Sequence, residues 1–146
     1  GFCENPLTES MSLALINSEL YEALEAIRKG RVNPDWSNTE AIKESKECEI
    51  ADAAIRIYDH AGGHGFQVAI LNSLNFMFSN DEGANILQLN NEVNKVREHK
   101  DKAFCLSVVL TGLYQYAAFS KFNLLQYIEW KLDYNLNRPY KHGKQF

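Results

Sequence analysis

Apolar residues recur at steps of three and four at Leu13, Ile16, Leu20, Leu24 and Ile27, which predicts one helix over residues 8–29 with a single apolar stripe. Thr8, or alternatively Ser10, is placed to cap its start, and Gly30 ends it. Asn33-Pro34-Asp35-Trp36-Ser37-Asn38 has loop composition. A second helix is expected from Thr39 or Glu40, bending or continuing into residues 47–61, where Ile50, Ala54, Ile57 and Tyr58 form the apolar side. Gly62-Gly63-His64-Gly65 predicts a break, residues 66–78 read as a further apolar helix, and Ser79-Asn80-Asp81-Glu82-Gly83 closes it. Strand-like alternation is scarce, and the three prolines stand at the borders of periodic segments. The pattern predicts an all-α helical bundle.

After Gly83 the pattern starts again. Ile86-Leu87-Gln88-Leu89-Asn90-Asn91-Glu92 resembles Leu13-Ala14-Leu15-Ile16-Asn17-Ser18-Glu19, an offset of 73 (92 − 19). The stretch from Gly112 to Phe122 resembles that from Arg56 to Phe66, an offset of 56 (112 − 56). The reading is a degenerate duplication within one domain: repeat one over residues 8–82, repeat two over 83–137 and a basic tail over 138–146. Under this alignment Glu22 corresponds to Lys95, Glu49 to Cys105 and Asp52 to Val108, so the second copy is expected to pack and not to hold metal.

At 146 residues the chain is long enough for one domain with a real core. A net charge of −4 argues against a binder of nucleic-acid polymers, which would carry a basic stripe. No apolar run is expected to approach bilayer-spanning length; the longest, over residues 103–118, is interrupted by Ser107, Thr111 and Gln115. Three cysteines without metal-type spacing, and no secretory leader, favour a reducing cytoplasm over a disulfide framework.

The candidate chemistry lies in Glu19-Leu20-Tyr21-Glu22 and Glu49-Ile50-Ala51-Asp52. Each tetrad puts two carboxylates three residues apart on one helical face, and antiparallel packing would turn both pairs into one cleft. Four gathered negative charges call for a hard divalent cation. The tetrads resemble the E-x-x-E…E-x-x-D signature of the MazG-like all-α nucleoside triphosphate pyrophosphohydrolases. The surroundings carry the likeness further: residues 18–30, residues 50–59, and the ending Tyr134-Asn135-Leu136-Asn137-Arg138-Pro139-Tyr140-Lys141-His142-Gly143-Lys144, similar to the tails of phage- and integron-type members. The resemblance implies cleavage of a nucleoside or deoxynucleoside triphosphate to the monophosphate and pyrophosphate, in nucleotide-pool house-cleaning. It implies Mg²⁺, with Mn²⁺ as a substitute, held by Glu19, Glu22, Glu49 and Asp52. Compact members have nothing matching residues 83–135, so a monomeric pseudo-dimer is expected beside the alternative of a homodimer. A catalytically weak nucleotide sensor or partner-binding protein, and a phosphoribosyl-ATP pyrophosphohydrolase-like enzyme, are the alternative functions.

Further candidates surround this set. Arg138, Tyr140 and Lys141 of the tail are expected to bind the polyphosphate by charge-assisted hydrogen bonds. Trp36, close in sequence to Lys29, can stack on a base or cover the end of the bundle. Asn17 and Ser18 can reach sugar or base or simply face solvent. Glu22 and Glu25 are both open as general base. His60 and His64 stand four apart, but the expected break between them and the lack of an H-E-x-x-H pattern argue against zinc.

Overall fold

The computed structural model describes residues 7–138. Six helices follow in order, α1 (Glu9–Arg28), α2 (Thr39–Lys43), α3 (Lys46–His64), α4 (Glu82–Lys95), α5 (Lys102–Ser120) and α6 (Leu124–Asn137), with no strand among the described residues. The protein is an all-α helical bundle.

Side-chain caps start the helices. Thr8 Oγ1 accepts from the Met11 N–H at 3.2 Å, Ser45 Oγ from the Cys48 N–H at 3.1 Å, and Asp101 Oδ1 from the Phe104 N–H at 2.9 Å. Leu13, Ile16 and Leu20 of the stripe read from the sequence are buried, whereas Leu24 and Ile27 are half-buried and Ala23 and Ala26 complete the buried side of α1. It packs on α3, whose buried residues include Ala51, Ala53 and Ala54. Small side chains on both helices let the two axes approach closely. In turn α3 packs on α5 and α6, α4 packs on α1, and α5 packs on α4.

Helix boundaries repeat at the offsets read from the sequence. The start of α4 at Glu82 lies 73 beyond that of α1 at Glu9 (82 − 9), and α5 runs 56 beyond α3 at both ends (102 − 46, 120 − 64). Asn90 Nδ2 donates to Asn17 Oδ1 at 2.6 Å, a pair of residues also 73 apart.

Two expectations require correction. The glycine pair does not end α3, which runs on to His64 and stops at Gly65, a left-handed C-cap with φ of 73°. Gly62 and Gly63 cost helix propensity without forbidding the conformation, so His60 and His64 share one helix. Nor are residues 66–78 helical. They form a strap along α5 with a turn at Asn72-Ser73, and side chains alternate in its two extended arms: Phe66 and Val68, then Leu74, Phe76 and Phe78, are half-buried between exposed neighbours, with Leu71 half-buried before the turn. That is period two, not 3.6. Polar side chains of α5 satisfy the strap's backbone in place of a partner strand: the Ala69 N–H donates to Ser107 Oγ at 3.0 Å, Leu71 N–H to Thr111 Oγ1 at 2.8 Å and Phe76 N–H to Gln115 Oε1 at 2.8 Å.

The residues that interrupt the apolar run of α5 are therefore the clamps of the strap. That run is also longer than expected: over 19 residues α5 is long and apolar enough to cross a bilayer by length and composition. In this fold ten of its residues are buried against the strap and neighbouring helices.

At Gly112 the strap leaves no room for a side chain. A Cβ there would lie 2.8 Å from Phe76 Cζ and 2.9 Å from Leu89 Cδ2. Gly112→Ala is expected to lower stability in urea by about 1–3 kcal/mol through overpacking. The gain of about 1 kcal/mol in helix propensity offsets only part of this.

Candidate metal centre

Close packing of α1 on α3 brings the acids together. One carboxylate oxygen from each of Glu19, Glu49 and Asp52 lies within 4.8 Å of the others. Glu19 is buried, and Glu49 and Asp52 are half-buried. At that separation each ionised pair repels by about 3–4 kcal/mol for an effective dielectric constant near 20.

Proton affinities respond accordingly. Burial, then the neighbouring Glu22, Glu19 and Asp52, push Glu49 up to about 10. Burial raises Asp52 to about 6, with Lys131 pulling the other way. Glu22 lies at the exposed rim and is also raised, by partial burial first and then by Glu19. At neutral pH the Glu49 carboxyl thus keeps its proton unless a cation replaces it. Its Oε2 is buried without a hydrogen-bond partner among the described residues.

Two cations are built into the cluster. Arg56 Nε donates to Glu19 Oε1 at 2.8 Å, and Lys131 Nζ lies 3.4 Å from Asp52 Oδ2. Lys131 reaches in from α6. Burial works to lower its affinity for a proton, but Asp52, Cys48 and Glu49 raise it on balance, so it stays charged. Arg56 belongs to α3, one turn beyond Asp52. Lys131 carried no local signal, because its role depends on where α6 docks. One turn after it, Asn135 Oδ1 is buried without a partner. Beside these two, Thr39, Trp130, Asp133, Tyr134, Asn137 and Arg138 line an open groove of about 300 Å³. In it Trp130 and Tyr134 stack with ring centroids 5.2 Å apart.

The remaining candidates separate. Trp36 is exposed, and its ring packs on that of Tyr127 with centroids 4.8 Å apart. Lys29 is exposed and paired with Glu25 at 3.1 Å. Lys29 and Arg28 hold the Glu25 carboxyl below its ordinary range. Asn17 turns to Asn90 and Asn94 across the α1–α4 contact. Arg138 is exposed at the end of α6, and Tyr140 and Lys141 lie outside the described residues. On α4 an ion pair, Lys95 to Glu92 at 3.0 Å, stands beside Cys105 of α5, whose thiol is raised by burial and then by Asp101 and Glu92.

No protein-family model, curated protein or solved structure matches this chain.

Proposed function

We propose that the protein is a Mg²⁺-dependent nucleoside triphosphate pyrophosphohydrolase with one working site. The observation that carries this reading is the set of three carboxylates from two helices whose oxygens converge, with Glu49 Oε2 buried and unpartnered among them. Such an oxygen-only donor set suits a hard divalent cation. Glu19, Glu49 and Asp52 would hold it, with Glu22 at the rim. When bound, Mg²⁺ would neutralise phosphate charge and lower the pKa of a water molecule.

The chain's own groups do the rest. Glu22 is the better candidate base, because it is raised and adjacent, whereas Glu25 is tied to Arg28 and Lys29. It would take the proton as water attacks phosphorus and the bridging α–β P–O bond breaks, giving the nucleoside monophosphate and pyrophosphate. Lys131 and Arg56 would exchange a carboxylate for phosphate oxygens once the cation is in place. The Trp130–Tyr134 groove beside them offers stacking surface to a base.

We also infer that the chain is a pseudo-dimer. The helix offsets of 73 and 56, and the bond between Asn17 and Asn90, suit two hairpins about a pseudo-two-fold axis, near which equivalent residues meet. The second hairpin keeps the packing and one acid, Glu92 at the place of Glu19, and has lost the other three.

Phosphorus NMR on a panel of nucleoside and deoxynucleoside triphosphates with Mg²⁺ tests the assignment. Paired monophosphate and pyrophosphate signals are expected. Diphosphate with orthophosphate, or no turnover of any nucleotide, would sink it. Nucleotide binding by calorimetry without turnover would favour the sensor reading, to which the altered second hairpin lends weight.

A further inference from the structure

At the far end of α3 a second polar cluster stands apart from the acids. His60 lies eight residues beyond Asp52, about 12 Å along the helix axis. It is 5% exposed, and neither Nδ1 nor Nε2 has a hydrogen-bond partner among the described residues. His64, one turn on, brings its ring centroid to 4.4 Å from that of His60. Phe66 stacks on His64 at 5.9 Å and meets His60 edge-on at 6.2 Å.

We propose that His60 and His64 form a binding site for a divalent transition metal ion of the zinc and copper class, separate from the acidic cluster. Histidines four apart on a helix share a face and can converge on one ion. The tautomer of His64 is fixed by its partner. Its Nε2 lies 3.2 Å from the Leu7 carbonyl oxygen, which can only accept, so Nε2 carries the hydrogen and Nδ1 keeps its lone pair. A carbonyl oxygen on the remote ring N–H is the usual support of a metal-ligating histidine.

His60 is kept neutral, and so ready to donate a lone pair, by burial and by His64. Leaving two polar nitrogens buried and unpartnered is costly, and coordination gives one of them a partner. Imidazole suits zinc, copper and nickel better than magnesium, so the two sites differ in the ion they take. Glu9 is the carboxylate whose charge reaches His60, but it is paired with Lys102 at 3.3 Å, so water completes the shell.

The test is a titration of the full chain with Cu²⁺ and then Zn²⁺ in a Glu49→Gln background, which disables the acidic cluster. One tight equivalent of Cu²⁺ with nitrogen coupling in its electron paramagnetic resonance spectrum, displaced by Zn²⁺, is expected. His64→Gln should weaken binding roughly ten- to a hundredfold or more. His64 is exposed, so this variant should keep its helical circular dichroism even if His60→Gln fails to fold. Unchanged affinity in His64→Gln, absence of nitrogen coupling, or no uptake would overturn the site. None of these outcomes bears on pyrophosphate release.

Discussion

Glu49→Gln is expected to lower pyrophosphate release by more than a factor of about 100 while making the metal-free protein more stable at pH 8. The loss follows because a proposed metal ligand is removed outright, and altering even a supporting partner of a ligand costs about 10- to 100-fold. The stabilisation has a different origin. The folded-state pKa of Glu49 is raised to about 10 from an ordinary 4.5. A carboxyl raised on folding contributes stability that is fully present below pH 4.5 and drains away as pH rises towards 10. At pH 8 the native protein must keep a proton that the unfolded chain has already released. Glutamine is neutral at every pH and removes that penalty, on the order of a few kcal/mol. Thermal melts of both proteins with chelator should diverge at pH 8 and converge near pH 4. Added Mg²⁺ should raise the wild-type melting temperature more than that of the variant.

Lys131→Met is expected to destabilise the metal-free protein by about 3 kcal/mol at pH 8 and by much less at pH 5. The Lys131 and Asp52 side chains are 12% and 18% exposed, so solvent screens them weakly. Removing one partner of a buried pair typically costs about 3–5 kcal/mol, because the remaining charge has no compensation. Asp52 titrates near 6, raised from 3.8 by burial. Below that value it takes up a proton and needs no ammonium beside it, so the cost of losing Lys131 shrinks. Urea unfolding at the two pH values checks the difference. An equal loss at both would mean that Lys131 acts through packing alone.

The sequence announced the helices wherever a single amphipathic stripe decided the structure, as in α1, whose cap at Thr8 was also legible. It failed at the strap, although Phe66, Val68, Phe76 and Phe78 carried the period-two signal. What makes an isolated extended segment viable is the Ser107, Thr111 and Gln115 ladder about 40 residues away, and no local window contains both. The acids of the candidate site could be named in advance, because spacing alone puts each pair on one face. Their partners could not. Lys131 reaches Asp52 only through the packing of α6 on α3, and Arg56 prefers Glu19 across the helix contact to Asp59 on its own helix. The burial that pushes Glu49 so far up depends on the α1–α3 contact, which is likewise a property of the packed pair.

The most direct test of the central claim, that Glu19, Glu49 and Asp52 form a divalent-cation site, is calorimetric titration of the nucleotide-free protein with Mg²⁺ at pH 7 in buffers of different ionisation enthalpy. The account predicts saturable binding with release of about one proton, since the cation replaces the proton held by Glu49. Binding should be lost in Glu49→Gln. No saturable binding, or binding without proton release that persists in Glu49→Gln, would contradict it.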